Sequence, residues 1–362
     1  MKIAITGIAN SGKTTIFNAL TGQSIEMTVY PTVEGEPHVS VVKVPDMRLE
    51  RLAEIYSPRK PIHATVEYVD YIGLIKGDTP HNTKVFNLIR DADAIVHVVR
   101  LFEDEKVSHP FGGIDPQRDI AIFEHELIFG DLEIVEKRLE RIELASKKGL
   151  KVETEAEKKL LGRIREALEI ERPLREIEFN EDEERLLRPI QFLSIKPEVI
   201  VLNICEDDIH AEKNKSLKKS LEERHVGRNI KVIDLCGKIE MEIAQFDREE
   251  ARAFLDDLRI DEPAMNRLIR LCYDLLGYIS FFTIGENEVK AWAIKRGTIA
   301  QKAAGKVHSD MERGFIRAEV IGYDDFVASG GMAKAKEKGL VRLEGKTYAI
   351  KDGDIVNFRF HV

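Results

Sequence analysis

Residues 3–16 of this 362-residue chain restrict its folding options more than any other stretch. A short apolar run, Ile3-Ala4-Ile5, leads into Gly7-Ile8-Ala9-Asn10-Ser11-Gly12-Lys13-Thr14, and Ile16-Phe17-Asn18-Ala19-Leu20 follows at once. The order is strand, glycine-bounded loop, amphipathic helix, with the spacing GxxxxGK[ST] of a phosphate-binding loop. Gly7 and Gly12 let the backbone curl so that successive N–H groups converge on phosphate oxygens. The start of the following helix adds unpaired N–H groups and partial positive charge. Lys13 is placed to reach the β- and γ-phosphates, and the Thr14 hydroxyl to ligate Mg²⁺. Ala9, Asn10, Ser11 and Thr15 complete the expected cradle. Such a chain is expected to bind a nucleoside triphosphate within an α/β fold.

The rest of the chain repeats that pattern. Strands are expected at Lys2–Thr6, Val39–Val44, Thr65–Asp70, Ala94–Arg100, Val199–Asn203 and Lys231–Leu235. Several are nearly unbroken apolar runs, as when helices cover both faces of a mostly parallel sheet. His97, inside one such run, reads as a core or edge residue rather than a ligand. Between 124 and 188 about half the residues are charged, with both signs mixed. There Ile128, Leu132, Val135, Leu139 and Ile142 step as a heptad seam, and Leu161, Ile164 and Leu168 form a second run after Gly149. An inserted antiparallel helical hairpin, or short coiled coil, is expected. From 278 the pattern changes again. Phe281–Thr283 and Val289–Ile294 suggest a hairpin, and Val356, Phe358, Phe360 and Val362 alternate with polar residues after the turn Asp352-Gly353-Asp354. The expected division is a nucleotide-binding domain over 1–123 and 189–277, a helical insertion over 124–188 and an α+β module over 278–362.

Composition narrows the remaining classes. A hydrophobic fraction of 43% and a charged fraction of 33% describe a globular chain, and no apolar run approaches the ~20 residues that span a bilayer. A core strand beginning at Lys2 suggests that no leader precedes the fold. Cys205, Cys236 and Cys272 are widely spaced and form no CxxC pair, which fits buried thiols in a reducing cytoplasm. A net charge of −9 speaks against a chain coated in nucleic acid, and no DNA sequence recognition is expected. Local basic residues such as Lys290, Lys295, Arg296, Lys302, Lys306, Arg313 and Arg317 leave RNA contact open, with a solvated surface the plainer reading.

Two further motifs surround the expected nucleotide. Asp70-Tyr71-Ile72-Gly73 ends a strand as D-x-x-G, placing Asp70 toward Mg²⁺ and the Gly73 N–H toward the γ-phosphate. Leu74 follows, where Ras-like switches carry the Gln that orients the attacking water. Leucine cannot hydrogen-bond water, so hydrolysis must rely on something else or be slow. Asn203-Ile204-Cys205-Glu206 stands where a guanine-reading N-K-x-D would sit. Glu206 carries one methylene too many for that geometry, and Ile204 replaces the base-covering lysine. Asn203 retains the amide that pairs with N7 and an exocyclic amine of adenine. ATP is therefore favoured over GTP, with Cys236 and Gly237 backing the base through main-chain N–H groups.

Taken together the chain resembles the YchF family of Obg-like ATPases, in the translation-factor class of P-loop GTPases. The resemblance covers essentially the whole chain. It rests on Asn10-Ser11-Gly12-Lys13, Pro45-Asp46-Met47-Arg48-Leu49, Ala64 to Asp70, Asp91 to Arg100 with Phe102-Glu103-Asp104, and Asp131 to Leu139. Ala303 to Asp310 and Gly314 to Val320 look like the family's TGS domain. The resemblance implies a P-loop α/β domain, an inserted helical domain and a ubiquitin-like C-terminal TGS domain. It implies ATP hydrolysis with relaxed or reversed base preference and association with ribosomes. Asn203 and Glu206 match the family's N-x-x-E, and Leu74 its apolar residue after DxxG. Asn10 occupies the position where potassium-activated relatives coordinate a cation, which makes K⁺ a second cation candidate beside Mg²⁺.

Two segments depart from the family pattern. The first switch reads Tyr30-Pro31-Thr32-Val33-Glu34, with Glu34 in the slot of the Mg²⁺-sensing threonine and Thr32 two residues early. The segment from Leu74 to Asn82 lacks the usual Gly-rich second switch. Three functions follow as expectations: a ribosome-associated ATPase, a GTP-specific switch, or a nucleotide-sensing RNA or ribosome adaptor with negligible turnover. Lys13 and Gly73 are the expected catalytic contributors in the first.

Overall fold

In the computed structural model the described residues are 1–25, 37–56, 60–147, 155–285 and 287–361. The first switch, with Thr32 and Glu34, lies outside them, as do Gly149 and Val362. In chain order the first six strands are β1 (Lys2–Thr6), β2 (His38–Lys43), β3 (Lys60–Ile62), β4 (Thr65–Asp70), β5 (Ala94–Arg100) and β6 (Glu198–Asn203). They are followed by β7 (Ile230–Leu235), β8 (Tyr278–Ile284), β9 (Glu288–Lys295), β10 (Phe315–Gly322), β11 (Arg342–Glu344) and β12 (Asp354–Phe360). The helices that carry the argument begin with α1 (Lys13–Thr21), α2 (Met47–Ile55), α3 (Thr79–Ile89), α4 (Pro116–Lys147) and α5 (Glu155–Glu169). Further on come α6 (Glu181–Leu187), α7 (Glu212–Arg224) and α8 (Gly237–Ile243). The chain divides into two compact units, Met1–Val41 with Glu67–Leu268, and Val42–Val66 with Ile269–Val362.

The first unit is built around a six-stranded sheet of order β2-β4-β1-β5-β6-β7. β1 runs parallel to both β4 and β5, and β5, β6 and β7 continue in parallel. Every residue of β5 and β6 is buried, which is why both strands lack polar alternation. The six strands expected from apolar runs agree with the observed ones to within one residue at each end. The phosphate loop leaves the carboxyl end of β1, at the point where neighbouring connections diverge in opposite directions; such a crevice is where doubly wound sheets bind ligands.

The helical insertion is the long α4 packed against α5. Ile128, Val135, Leu139 and Ile142 of α4 are buried with Leu161, Ile164 and Leu168 of α5, and Leu132 is partly buried beside them. The heptad seam is therefore the contact face of the hairpin. Its base is locked to the sheet by buried polar groups. Asp131 accepts from Leu193 N at 2.8 Å, and from Ser194 N and Oγ at 2.7 and 2.8 Å. Arg175 Nη1 donates to Glu124 at 2.7 Å and to Glu198 at 2.8 Å, while Glu198 also pairs with His97 Nδ1 at 3.0 Å. Burial drives the Glu124 carboxyl up to about 7 despite Arg175 beside it. His97 is a buried core residue, stacked on Phe123.

The second unit holds a sheet of order β11-β10-β12-β8-β9-β3. β8 and β9 form an antiparallel hairpin, β12 lies parallel to β8, and β10 is antiparallel to β12 and β11. The core gathers Phe281, Ile294, Phe315, Val320, Val356 and Phe358 beneath the helix Ala300–Val307, whose Ala300, Ala303 and Ala304 are fully buried. Residues 42–66 belong to this unit. β3 adds a parallel edge to β9. Arg48, on α2, bonds Asp352 at 2.8 Å and its own neighbour Asp46 at 2.9 Å. Asp352 also accepts from Ser280 N at 2.9 Å, which fixes the Asp352-Gly353-Asp354 turn between strands. Cys205, Cys236 and Cys272 form no disulfide. No helix among the described residues is long and apolar enough to cross a membrane.

Candidate functional site

The phosphate loop has the backbone that its glycines require. Gly7 sits at φ 143° and Gly12 at φ 93°, where a side chain is strained. Space forbids one as well: a Cβ on Gly7 would lie 2.5 Å from the Val98 carbonyl oxygen, and one on Gly12 would lie 2.2 Å from Asn203 Nδ2. Asn10 is also left-handed, at φ 63°, and its amide donates to the Ser108 carbonyl at 3.1 Å. Ala9 and Ser11 are buried within the same loop. Gly12 caps α1, so the free N–H groups of that helix face the concave side of the loop. Thr15 stands in the first turn of α1 and packs its methyl toward Gly237, at 3.3 Å from a notional Cβ there.

Lys13, Thr14, Asp70 and Gly73 come together. Lys13 Nζ donates to Ile8 O at 2.8 Å, arching back over the loop. Burial pulls its ammonium down to about 8, against the upward pull of Asp70. Thr14 Oγ1 donates to Asp70 Oδ2 at 2.8 Å, while Asp70 Oδ1 is buried with no hydrogen-bond partner. Burial pushes the Asp70 carboxyl up, and Thr14 and Lys13 pull it back. A hydroxyl and an orphaned carboxylate oxygen side by side are hard ligands of the kind that Mg²⁺ uses along with phosphate and water. The residues present therefore fit a divalent cation at Thr14 and Asp70.

The segment after Gly73 is stitched to the loop by backbone. Leu74 N donates to Gly7 O at 2.9 Å and Ala9 N donates to Leu74 O at 3.0 Å. Leu74 is buried, so its side chain serves the core and offers nothing to a water molecule. α3 holds the segment from the other side. His81 Nε2 bonds Gly73 O at 2.9 Å, and the Asn82 amide brackets Ile75 through both its N–H and its carbonyl. Neither His81 nor Asn82 stood out in the sequence; a polar pair opening a helix just after DxxG was the available signal.

At the expected base end, Asn203 closes β6. Its Nδ2 donates to Ser11 O and its Oδ1 accepts from Gly237 N, each at 3.0 Å, and the residue is almost wholly buried. One N–H of the amide stays unassigned, which suits a ring acceptor such as N7, whereas Oδ1 already serves a main-chain donor. The Gly237 N–H, expected to back the base, is used in the same way. Ile204 and Cys236 are buried in one apolar cluster with Ile239, and burial pushes the Cys236 thiol up. Glu206 pairs instead with Lys238 at 3.3 Å on an exposed rim. Phe102, passed over in the sequence except as part of a motif, has its ring 3.5 Å from a notional Gly12 Cβ and carries Arg100 over its face at 4.6 Å.

Comparison with known proteins identifies the family. The family model described as 50S ribosome-binding GTPase matches residues 2–129, and the C-terminal model of YchF GTPases, described as a protein of unknown function, matches 278–361. The ribosome-binding ATPase YchF of Bacillus subtilis is 43% identical, over 99% of this chain and 98% of that protein. Its namesake in Escherichia coli O157:H7 is 38% identical over 100% of this chain and 99% of its own length. The solved structure of the Schizosaccharomyces pombe YchF GTPase superposes with a TM-score of 0.83 at 29% identity, covering 99% of this chain and 97% of that one. Resemblance over the full length at such identity means that this chain belongs to the YchF family.

Proposed function

We propose that the chain is a Mg²⁺-dependent P-loop ATPase that acts as a ribosome-associated switch in the cytoplasm. The observation that carries the proposal is the convergence of Lys13, Thr14, Asp70 and Gly73 within one buried cradle. In this reading Lys13 exchanges Ile8 O for the β- and γ-phosphates, and the Gly73 N–H meets the γ-phosphate. Thr14 and Asp70 would hold Mg²⁺, which would supply charge neutralisation for the triphosphate. The loop of Gly7, Ala9, Asn10, Ser11, Gly12, Thr14 and Thr15 wraps the phosphate chain. Asn203, Ile204, Glu206, Cys236 and Gly237 shape the base end. Adenine is favoured because Ile204 is buried, supplying no lysine stem, and Glu206 is drawn to Lys238. The curated relatives are named ATPases and the fission-yeast structure a GTPase, so base preference is a property to measure on this chain.

The ribosome enters through the names of the relatives and through the organisation of the chain. The proposed nucleotide, helical and TGS domains are 1–123 with 189–277, 124–188 and 278–362, while residues 42–66 and 269–277 pack in the second compact unit. A hairpin, a helix and a last strand lying parallel to the first support a ubiquitin-like TGS module. K⁺ joins Mg²⁺ in this reading through Asn10, whose left-handed backbone holds its amide at the loop's edge; equal turnover in Na⁺ and K⁺ buffers would remove it.

One observation favours a second reading, a nucleotide-sensing adaptor with negligible turnover: Leu74 is buried and its backbone is committed to the loop. Turnover and ribosome co-sedimentation of the wild type and Lys13→Ala separate the two. ATPase activity lost in Lys13→Ala supports the enzyme. Background turnover in the wild type, with ribosome association abolished in Lys13→Ala, supports the adaptor.

A further inference from the structure

The helical insertion carries a groove that the nucleotide chemistry does not use. It lies between α4 and the end of α5 and measures about 480 Å³. Ile122, Ile128, Leu132 and Leu168 form its apolar part, and Phe129 stands beside them 54% exposed in mid-helix. Its remaining lining is acidic, from Glu126, Glu169 and Glu171, apart from His125, which is paired with Glu171 at 3.3 Å. Glu169 has an exposed partner, Arg165, at 3.5 Å. Exposed pairs of this kind are weak and exchange readily.

The groove is also wired to the nucleotide site. Glu126 Oε2 accepts from Asn82 Nδ2 at 3.4 Å, and that same amide holds Ile75 at 3.1 Å, two residues beyond Gly73.

We infer that this groove docks a segment of a ribosomal protein in which an apolar anchor is flanked by lysine or arginine. The inference rests on the ribosome-associated reading above and adds the partner's chemistry. Charge complementarity chooses protein over RNA: three carboxylates around the floor repel a phosphate backbone and attract cationic side chains. The apolar floor with Phe129 supplies the buried centre that such interfaces use as their energetic core.

The test uses the full-length chain with purified ribosomes. A photo-crosslinking benzoylphenylalanine replaces Phe129, and the crosslinked species is identified as protein or rRNA. In parallel, co-sedimentation affinity is measured for Phe129→Asp and for the double variant Glu169→Lys/Glu171→Lys. Leu144→Asp, at an exposed position elsewhere on α4, is the control. A crosslink to a ribosomal protein, at least tenfold weaker binding for both groove variants, and unchanged binding for Leu144→Asp support the inference. A crosslink to rRNA, or groove variants that bind like the wild type, overturns it and leaves the ribosome reading standing. A wild type that does not sediment with ribosomes defeats both. If Phe129→Asp fails to fold, the double variant at two exposed positions decides alone.

Discussion

Asn203, at the end of β6, donates from Nδ2 to the Ser11 carbonyl 3.0 Å away, across 192 residues of sequence. Through Oδ1 the same side chain holds the first N–H of α8, so one buried amide ties the phosphate loop to the base end of the site. Asn203→Ala leaves a buried carbonyl and a buried N–H unpaired, each costing about 1–3 kcal/mol. Triphosphate affinity measured by calorimetry is expected to fall by at least ~10-fold, equivalent to about 1.4 kcal/mol. Asn203→Asp keeps the acceptor for Gly237 but sets a buried carboxylate oxygen against the Ser11 carbonyl, and is expected to lose at least as much. Wild-type affinity in Asn203→Ala would show that the staple is dispensable.

Gly73 is where the second motif touches the first. A Cβ there would stand 2.4 Å from Lys13 Nζ and 2.8 Å from Ala9 N and Cα. Lysine can swing aside, but the loop backbone cannot, so Gly73→Ala must displace either the loop or the Gly73 N–H proposed to meet the γ-phosphate. Turnover is expected to fall by ~10-fold or more, about 1.4 kcal/mol of transition-state stabilisation, with a smaller loss in ATP affinity. Single-turnover kinetics and equilibrium binding separate the two effects.

Lys13 gives the site a pH dependence whose sign follows from burial. In the folded chain its ammonium titrates at about 8, below the ordinary value of 10.5. The charged form binds the anionic triphosphate, so the free protein is ready below about pH 8 and loses its charge above it. Affinity for ATP is expected to stay level from pH 6.5 to 7.5 and to decline above pH 8, as binding must then take up a proton. For stability of the nucleotide-free protein the sign reverses, since a lowered lysine value penalises folding below pH 8 and the penalty fades as pH rises. ATP titrations from pH 6.5 to 9.5 check the first statement and thermal melts the second.

Arg48 is expected to matter for the second unit rather than for nucleotide binding. It joins Asp46 and Asp352, and its guanidinium lies over Phe282 at 5.3 Å. Both the arginine and Asp352 are partly exposed, which limits the ion pair to about 1 kcal/mol. Arg48→Ala is expected to lower the melting temperature by a few degrees while ATP affinity is retained, as read by calorimetry and equilibrium binding.

The sheet of the first unit was legible because its strands are covered on both faces. Ala94–Arg100 has no polar alternation to hide it, and all seven residues are indeed buried. The helical insertion showed itself through the 3-4 spacing of Ile128 to Ile142, whose apolar side chains form the hairpin's seam. The phosphate loop was legible for a different reason: Gly7 and Gly12 stand where both φ and space exclude any other residue. Pairings that depend on distant partners left no such trace. β3 is three residues long and gains its identity only by lying against β9. Arg48 reads as an ordinary surface cation until Asp352 meets it. Asn203 looked like a base reader since its amide suits adenine; that it is buried between Ser11 and Gly237 depends on the loop and α8 converging on it. Glu206 could be seen to fail as a guanine acceptor, but its pairing with Lys238 required the turn into α8.

The cradle is expected to hold and hydrolyse ATP in preference to GTP. This preference is tested most directly by competition titration of the two nucleotides in the presence of Mg²⁺, alongside their turnover rates on the same preparation. ATP is expected to bind more tightly and to be hydrolysed, and Glu206→Asp to shift the affinity ratio toward GTP. Tighter binding and faster hydrolysis of GTP by the wild-type chain would contradict it.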